Sequence, residues 1–390
     1  MKLQKNVVII RSRAINPGTY KIASTLAKNG FNVHVVLWNR NPDNKTLIVK
    51  DKTYNVIFFN LRAPYDKITA ILLFPVWWIY EFIILMFKRE VYIIHIIDFD
   101  SLLPAIFVKF FKKKVKIVYS IQDIYAENLP RHIPNFIKNA IKFLEKISFK
   151  YCDAVFIVNP LMYYNYYRAF PIKRLKVIYN SPPCIEEIGI YPEKITYNYK
   201  PVLTVFYAGL IHRSRGLIEL LTALKNVDNV KLIIAGKGPD IKIFSKIADD
   251  LKGKIEYIGI IPYEEVIKKT LEVDAIVAFY DPQISNNRYA SPNKLFEAMM
   301  CSKPIIINKE TFAANIVEKA RCGLVVPYGD VNSLINALIK LRDNPSLRME
   351  LGRNGRNVYE KIFAWKKMEQ KIIQIYRELT DTLADCKRLS

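Results

Sequence analysis

The stretch Ser291-Pro292-Asn293-Lys294-Leu295-Phe296-Glu297 combines residue types and spacing that suit anion chemistry. It follows the short apolar run DAIVAFY, which suits a buried strand, and leads into an apolar helical pattern. Ser291 is placed to cap that helix and Pro292 to open its first turn. The free N–H groups of a first turn, together with the helix dipole, hold a phosphate. Lys294 either adds charge there or points to solvent. Glu297, about one turn further in, is placed to accept two hydrogen bonds from a ribose diol. An ordinary capping-box glutamate is the competing reading.

Two further loops fit an anionic ligand. AGLIHRSRGL follows the run VLTVFY and carries Gly209, His212, Arg213 and Arg215 before Gly216. Arginines at a strand's carboxyl end suit a diphosphate through bidentate contacts, although a solvated basic loop has the same composition. AGKGPD follows VKLII and offers Gly236 and Gly238 for close backbone approach, a weak signal alone. In the first half, Asp98 and Asp100 stand just past VYIIHII, where they either bind substrate hydroxyls or cap a helix.

These loops need strands and helices to hold them. Short Val- and Ile-rich runs recur: NVVII, NVHVVLW, VYIIHII, VKIVYSI and DAVFIVN, then VLTVFYAG, VKLIIAG, DAIVAF, KPIIIN and GLVVP. Such runs suit strands buried on both faces of a parallel sheet, and the segments between them are long enough for crossover helices. The first helix is expected over residues 21–28, closed by Gly30. Two such series in 390 residues predict an α/β chain with two doubly wound domains. The expected boundaries are 1–182 and 183–365, with a final helix over about 366–390 packing back on the first domain. Residues 180–201, with Pro182-Pro183, Gly189 and Pro192, are the expected linker.

Composition narrows the classes. With 51% hydrophobic and 24% charged residues the chain can build cores, which excludes a disordered or collagen-like protein. Five scattered cysteines without C-x-x-C give no disulfide framework or zinc ribbon. Four histidines without H-E-x-x-H give no metal motif. The start, MKLQKNVVIIRSR, reads as a first strand rather than a signal peptide. Net charge is +23, and up to Ile195 there are 29 basic against 14 acidic residues. That excess favours polyanions, an anionic membrane surface or phosphorylated substrates, with simple solubility as the plain alternative. No arginine-rich arm, zinc finger or stacking motif accompanies it, so no nucleic-acid partner is expected.

Residues 68–87 are nearly all apolar, broken by Glu81, with Trp77 and Trp78 at the centre and Lys88-Arg89 after. The length would span a bilayer, but Pro75, Glu81 and the strand that follows at once argue against it. A core helix and a helix dipping into a membrane interface, with tryptophans at headgroup depth, are the two remaining readings. Lys112-Lys113-Lys114 would reinforce such docking, or form a solvated loop.

In series, YAGLIHRSRGL, LIIAGKGPD, IEYIGIIPYEEV, SPNKLFEAMMCSKPIII, CGLVVPYGD and NVYEKIFAWKKM resemble the family-4 retaining glycosyltransferases of the GT-B fold. YIIHIIDFDSLLPA, VYSIQDIYAEN, YCDAVFIVN and VIYNSPP agree more loosely in the first half. The resemblance implies two Rossmann-like domains facing across a cleft, the first taking an acceptor and the second a nucleoside-diphosphate sugar. It implies no metal and no cofactor, only the donor as substrate. The implied acceptor is a glycan or a lipid-linked sugar in cell-surface polysaccharide or glycolipid synthesis. The implied location is the cytoplasm, or the cytoplasmic membrane face as a peripheral protein. A GT-B sugar-nucleotide epimerase and a non-catalytic sugar-nucleotide-binding protein share these features and stay open.

By the same resemblance, Glu297 matches the family's ribose-binding glutamate, and the backbone from Ser291 to Leu295 would contact diphosphate and sugar. Arg215 matches the basic residue that neutralises the leaving diphosphate. The pattern's first basic residue falls on Leu210, with Arg213 as the expected substitute. Gly259 to Tyr263 matches the loop that packs the base. The glutamate that touches the donor sugar falls on Tyr289. In the first domain the family's histidine near the reaction centre falls on Gln122, beside Asp123, and Gly18 falls with Asp98 and Asp100 on the acceptor side. Gln122 cannot act as a general base, which front-face attack tolerates because the leaving phosphate oxygen can take the acceptor's proton.

Overall fold

A computed structural model of the chain describes all residues except 1–4, 43–52, 64–68, 89, 130–132, 190–200, 252 and 389–390. It divides into two units, Met1–Ile178 with Met368–Ser390, and Tyr179–Lys367. The change of unit falls at 178/179 because Tyr179 already belongs to the second core: its ring centre lies 4.9 Å from Phe363 and 6.0 Å from Phe296. Half of the expected linker, 190–200, lies outside the described residues.

In the first unit the apolar runs become β1 (Asn6–Arg11), β2 (Asn32–Asn39), β3 (Asn55–Asn60), β4 (Val91–Ile97), β5 (Lys116–Ile121), β6 (Ala154–Ile157) and β7 (Leu175–Val177). They form one parallel sheet in the order β3-β2-β1-β4-β5-β6-β7. Val7 to Ile10 are wholly buried, as strands covered on both faces require. The crossover helices are α1 (Pro17–Lys28), α2 (Thr69–Phe87), α3 (Leu102–Phe111), α4 (Asn135–Ser148) and the short α5 (Pro160–Met162). Helix α1 starts at Pro17 rather than residue 21 because Asn16 caps it, its Oδ1 accepting from Thr19 N at 2.8 Å. Gly30 follows its end with φ +84°.

The second unit builds a six-stranded parallel sheet from β8 (Leu203–Ala208), β9 (Val230–Ala235), β10 (Ile255–Tyr257), β11 (Ala275–Ala278), β12 (Ile305–Asn308) and β13 (Gly323–Val326), ordered β10-β9-β8-β11-β12-β13. Helices α6 (Leu217–Lys225), α7 (Ile241–Asp249), α8 (Tyr263–Glu272), α9 (Ser285–Arg288), α10 (Asn293–Met300), α11 (Phe312–Ala320), α12 (Val331–Asp343) and α13 (Pro345–Val358) connect and cover it. The last helix, α14 (Trp365–Arg388), returns to the first unit. There Tyr376 meets His95 Nδ1 at 2.6 Å, and Thr25 Oγ1 donates to Glu369 at 2.8 Å. Burial lowers His95 to about 3, so its ring is neutral and serves packing.

Helix α2 is divided lengthwise. Trp77 is fully buried and stacks on Trp38 at 5.6 Å, while Glu81 is buried and its carboxyl is raised well above the ordinary value by desolvation. The opposite side exposes Leu72, Val76, Ile79, Ile83 and Phe87. One side of the helix is therefore core, and Trp77, which lies there, cannot reach a headgroup; the other side is apolar and exposed. Among the described residues no helix is long and apolar enough to cross a membrane.

Candidate active site

In a doubly wound sheet, ligands bind past the carboxyl ends of the strands where strand order reverses. In the second unit that point lies between β8 and β11. Three loops are clamped together there by their backbones: Gly209 N–H donates to Ala235 O at 2.9 Å, Ile211 N–H to Lys237 O at 2.9 Å, and Gly236 N–H to Gly259 O at 2.7 Å. Gly236 has φ +137°, and a Cβ on it would sit 1.8 Å from Gly209 O. Gly236 and Gly238 do allow close approach, and what approaches is the neighbouring loop.

Lys294 projects into this cluster. Its Nζ lies 4.6 Å from the centre of the Tyr207 ring and 5.6 Å from that of Tyr280. The Arg215 guanidinium lies 4.7 Å from the same Tyr280 ring and donates to Asn287 Oδ1 at 3.2 Å. Two cations thus share one phenol, a contact worth roughly 0.5–2 kcal/mol for each. Burial works against the Lys294 charge, but Tyr280 and Tyr207 outweigh it and raise the ammonium above its ordinary value. A Cβ on Gly209 would lie 2.8 Å from Nζ, so the lysine occupies the space that this glycine leaves.

Arg213 is engaged elsewhere. Its side chain is 70% exposed, its N–H donates to Asp240 Oδ2 at 2.7 Å, and its guanidinium donates to Oδ1 at 3.3 Å. Those bonds hold Asp240 below its ordinary value. The cation standing beside Arg215 is Lys294. His212 caps the turn 213–215, its Nδ1 accepting from Ser214 N at 3.2 Å.

The N-cap of α10 is Pro292, not Ser291, and it contributes no side-chain bond. Ser291 Oγ and Asn293 Oδ1 are buried without hydrogen-bond partners. Leaving a polar atom so costs about 1–3 kcal/mol unless a ligand satisfies it. Leu295 is fully buried and its N–H already donates to Pro292 O at 3.2 Å. Glu297 is the fifth residue of the helix, too far along for a capping box, which uses the third. It is 6% exposed and accepts a hydrogen bond from Tyr263, whose phenol is raised by burial and by this carboxylate. Tyr289, half-buried, closes α9, and Gly259, at φ +71°, follows β10.

In the first unit, order reverses between β1 and β4. The strand ends bring Arg11, Ser12 and Arg13 to Asp98 and Asp100. Asp98 stands at φ 70° and ψ 160°, a region that otherwise belongs to glycine and costs about 1–3 kcal/mol. It occupies an N-cap position but makes no cap bond. Burial raises it to about 6, against the charge of Arg11, whose Nε is 3.8 Å from Oδ2. Ser12 Oγ donates to Asp100 Oδ2, while Asp100 Oδ1 is buried and unpartnered. Arg11 Nε and Arg13 Nε are also buried without a hydrogen-bond partner, although Arg11 Nε is ion-paired with Asp98. Gln122 Oε1 accepts from Asn16 Nδ2 at 2.6 Å, which ties it to the start of α1 beside Gly18. Asp123 is exposed and accepts from Asn128 at 3.2 Å. The two arginines were not singled out in the sequence; Arg-Ser-Arg at the end of the first strand was the available signal.

Comparison with known proteins bears on both units. A family model described as Glycosyltransferase Family 4 matches residues 17–181, and one described as Glycosyl transferases group 1 matches 192–358. An uncharacterised glycosyltransferase of Methanocaldococcus jannaschii is 24% identical over 76% of this chain and 79% of its own length. The alpha-monoglucosyldiacylglycerol synthase of Acholeplasma laidlawii is 22% identical over 69% and 71%. The match to a GDP-mannose-dependent phosphatidylinositol monomannoside mannosyltransferase of Corynebacterium glutamicum is shorter, 27% identical over 41% of this chain and 43% of that one. Among solved structures, sucrose-phosphate synthase from Thermosynechococcus elongatus superposes with TM-score 0.78 at 16% identity, covering 97% of this chain and all of the other. Anabaena HepE in complex with UDP gives 0.71 at 16% identity, over 96% and 100%.

Proposed function

Because the chain belongs to the family-4-type glycosyltransferases of the GT-B fold, we propose that it moves a hexose or N-acetylhexosamine from a nucleoside-diphosphate sugar to a glycan or lipid-linked acceptor, with retention of configuration. The observation that carries this reading is the pairing of Lys294 and Arg215 on Tyr280 beside an N-terminus of α10 where the Ser291 hydroxyl has no hydrogen-bond partner. Such a site is arranged for a diphosphate. Glu297, fixed by Tyr263, would take the ribose diol. Relatives named for mannosyl and glucosyl transfer to lipids, and a neighbour complexed with UDP, support the substrate classes.

The chemistry follows from charge. As the bond from C1 to the phosphate oxygen breaks, negative charge grows on the diphosphate. Lys294, Arg215 and the helix N–H groups meet it with fixed positive charge. The acceptor hydroxyl attacks C1 on the face the diphosphate leaves, and its proton passes to the departing phosphate oxygen. Gln122 holds its place at α1 and needs to carry no proton. Stabilisation of the protein by UDP-, GDP-, ADP- and dTDP-sugars in a thermal-shift screen would identify the donor, since ligand binding raises stability by mass action. Transfer with NMR of the product's anomeric centre then tests the reaction. An inverted product would end the front-face mechanism, and stabilisation by no nucleotide sugar would end the donor-site assignment.

A further inference from the structure

Behind the charged group of the first unit lies a cavity of ≈ 420 Å³, within the range of about 300–1,000 Å³ usual for small-molecule sites. Helix α2 contributes Phe74 and Trp78, the segments after β4 and β5 contribute Leu103 and Tyr125, and α4 contributes Ile141 and Leu144. Among the described lining residues, Asp100 alone is charged. It is 4% exposed and belongs also to the arginine–aspartate group, with Oδ1 unpartnered. The space is therefore apolar along its walls and charged at one side.

The walls select between occupants. A glycan would have to leave most of its hydroxyls unpaired against Phe74, Leu103, Ile141 and Leu144, which costs free energy for each group. A peptide backbone meets the same difficulty. A hydrocarbon chain does not, and a polar head attached to it would lie at Asp100, Asp98, Arg11 and Arg13. The surroundings agree: α2 exposes Ile79 and Phe87, and α4 exposes Phe136 and Phe143. The excess of basic residues up to Ile195 would draw this unit to an anionic leaflet.

We propose that this cavity is a hydrocarbon-chain site, which receives the tail of a lipid-linked acceptor while its head lies on the Asp98–Asp100 side. The acceptor part of the statement rests on the glycosyl-transfer reading above; the chain site does not.

The test is calorimetric binding of n-alkyl β-D-glucopyranosides, hexyl to decyl, each below its micelle concentration, to the full-length protein. Affinity should rise roughly three- to fourfold per added methylene until the cavity is full, then level off. Leu144→Trp and Ile137→Trp, at helix positions that are 41% and 37% exposed and line the cavity, should each lower the affinity for decyl glucoside at least tenfold and flatten the series. Two such variants guard against one failing to fold, which a thermal melt reports. Affinity independent of chain length would overturn the proposal. So would a rise with chain length that both tryptophan variants leave intact, because the chains would then lie on the outer apolar faces. Binding that climbs with chain length and is lost in the variants, without sugar transfer to any alkyl glucoside from any nucleotide sugar, would overturn the transfer reading and leave the hydrocarbon site standing.

Discussion

The two sheet-reversal points use the same scaffold for opposite ends. In the second unit, the groups past β8 and β11 are cationic and incompletely satisfied: Lys294 and Arg215 on Tyr280, with Ser291 Oγ and Asn293 Oδ1 lacking hydrogen-bond partners at a helix start. In the first unit, the groups past β1 and β4 are of both signs, buried, and set against an apolar cavity, with Asp98 in a glycine-like conformation. On the proposed reading the second end meets a diphosphate, the same ligand whatever sugar it carries, so fixed backbone and two cations would suffice. The first end would meet an acceptor, which varies, with side chains particular to this chain.

The largest expected effect tests the cationic end. Arg215→Ala should lower kcat by about 10²–10³, more than it raises KM, because the charge it meets develops as the diphosphate leaves. Steady-state kinetics with saturating acceptor checks this. A raised KM with normal kcat would mean that Arg215 holds the donor only in the ground state, and the contrast between the two ends would weaken to one of binding.

Glu297→Ala should weaken donor binding by about 1.5–3 kcal/mol, the worth of hydrogen bonds to a charged group, and also lower the melting temperature of the free protein through loss of the Tyr263 bond. Calorimetry with the donor nucleotide is the measurement. Unchanged affinity would show that the bond from Tyr263 is the carboxylate's whole purpose.

Asp98 sharpens the other side of the comparison through pH. Its value of about 6 lies above the roughly 3.9 of an unfolded aspartate, so the folded chain binds this proton more tightly. The stability gained from protonation is full below about pH 4 and is lost as pH rises through 6. Asp98→Asn, which is neutral throughout, should therefore be more stable than the native chain at pH 7, by about 1–3 kcal/mol, and lose that lead near pH 4. If the carboxylate orients acceptor hydroxyls, native kcat/KM for acceptor also falls below pH 6, and the variant's profile is flat there. Denaturation curves and acceptor kinetics at pH 4 to 8 read both. A variant with native activity and native pH dependence would remove Asp98 from the acceptor site.

How legible each end was follows the same division. The strands past which both sites lie were readable because Val- and Ile-rich runs such as VYIIHII and VLTVFYAG admit little else. β3, β7 and β10 were not: NVIFFN is half-exposed, and LKV and IEY have three residues each, so none shows a buried run. Helix α10 was marked by Ser291 to Glu297, yet whether Lys294 points in or out depends on Tyr207 in β8 and Tyr280 just past β11. Leu210 left a missing cation that Arg213 was expected to supply; its partner Asp240 lies across a loop and could not be assigned from spacing. Trp77 and Trp78 read as a pair, but consecutive residues on a helix point about 100° apart. One stacks in the core and the other lines the cavity, its Nε1 donating to Asp100 O at 2.6 Å.

That separation also decides how to test the smallest effect, attraction to a membrane. Removing Trp77 would damage the core, so it cannot report docking. The exposed stripe of α2 and the exposed Lys113 and Lys114 after α3 can. If the first unit approaches an anionic leaflet with this face, each lysine should contribute about 1 kcal/mol at low ionic strength, and the contribution should fade as salt shortens the Debye length. Ile79→Ser should instead remove a part that salt does not affect, because it comes from apolar burial. Sedimentation with anionic and neutral vesicles, at low and high salt, separates the two parts. Lys113→Ala/Lys114→Ala should shift binding only to anionic vesicles and only at low salt, and Ile79→Ser should shift what survives high salt. A native chain that stays in the supernatant with anionic vesicles at low salt would end the membrane reading. The exposed apolar stripe would then need another partner, and a lipid acceptor would have to reach the cavity as a dispersed molecule.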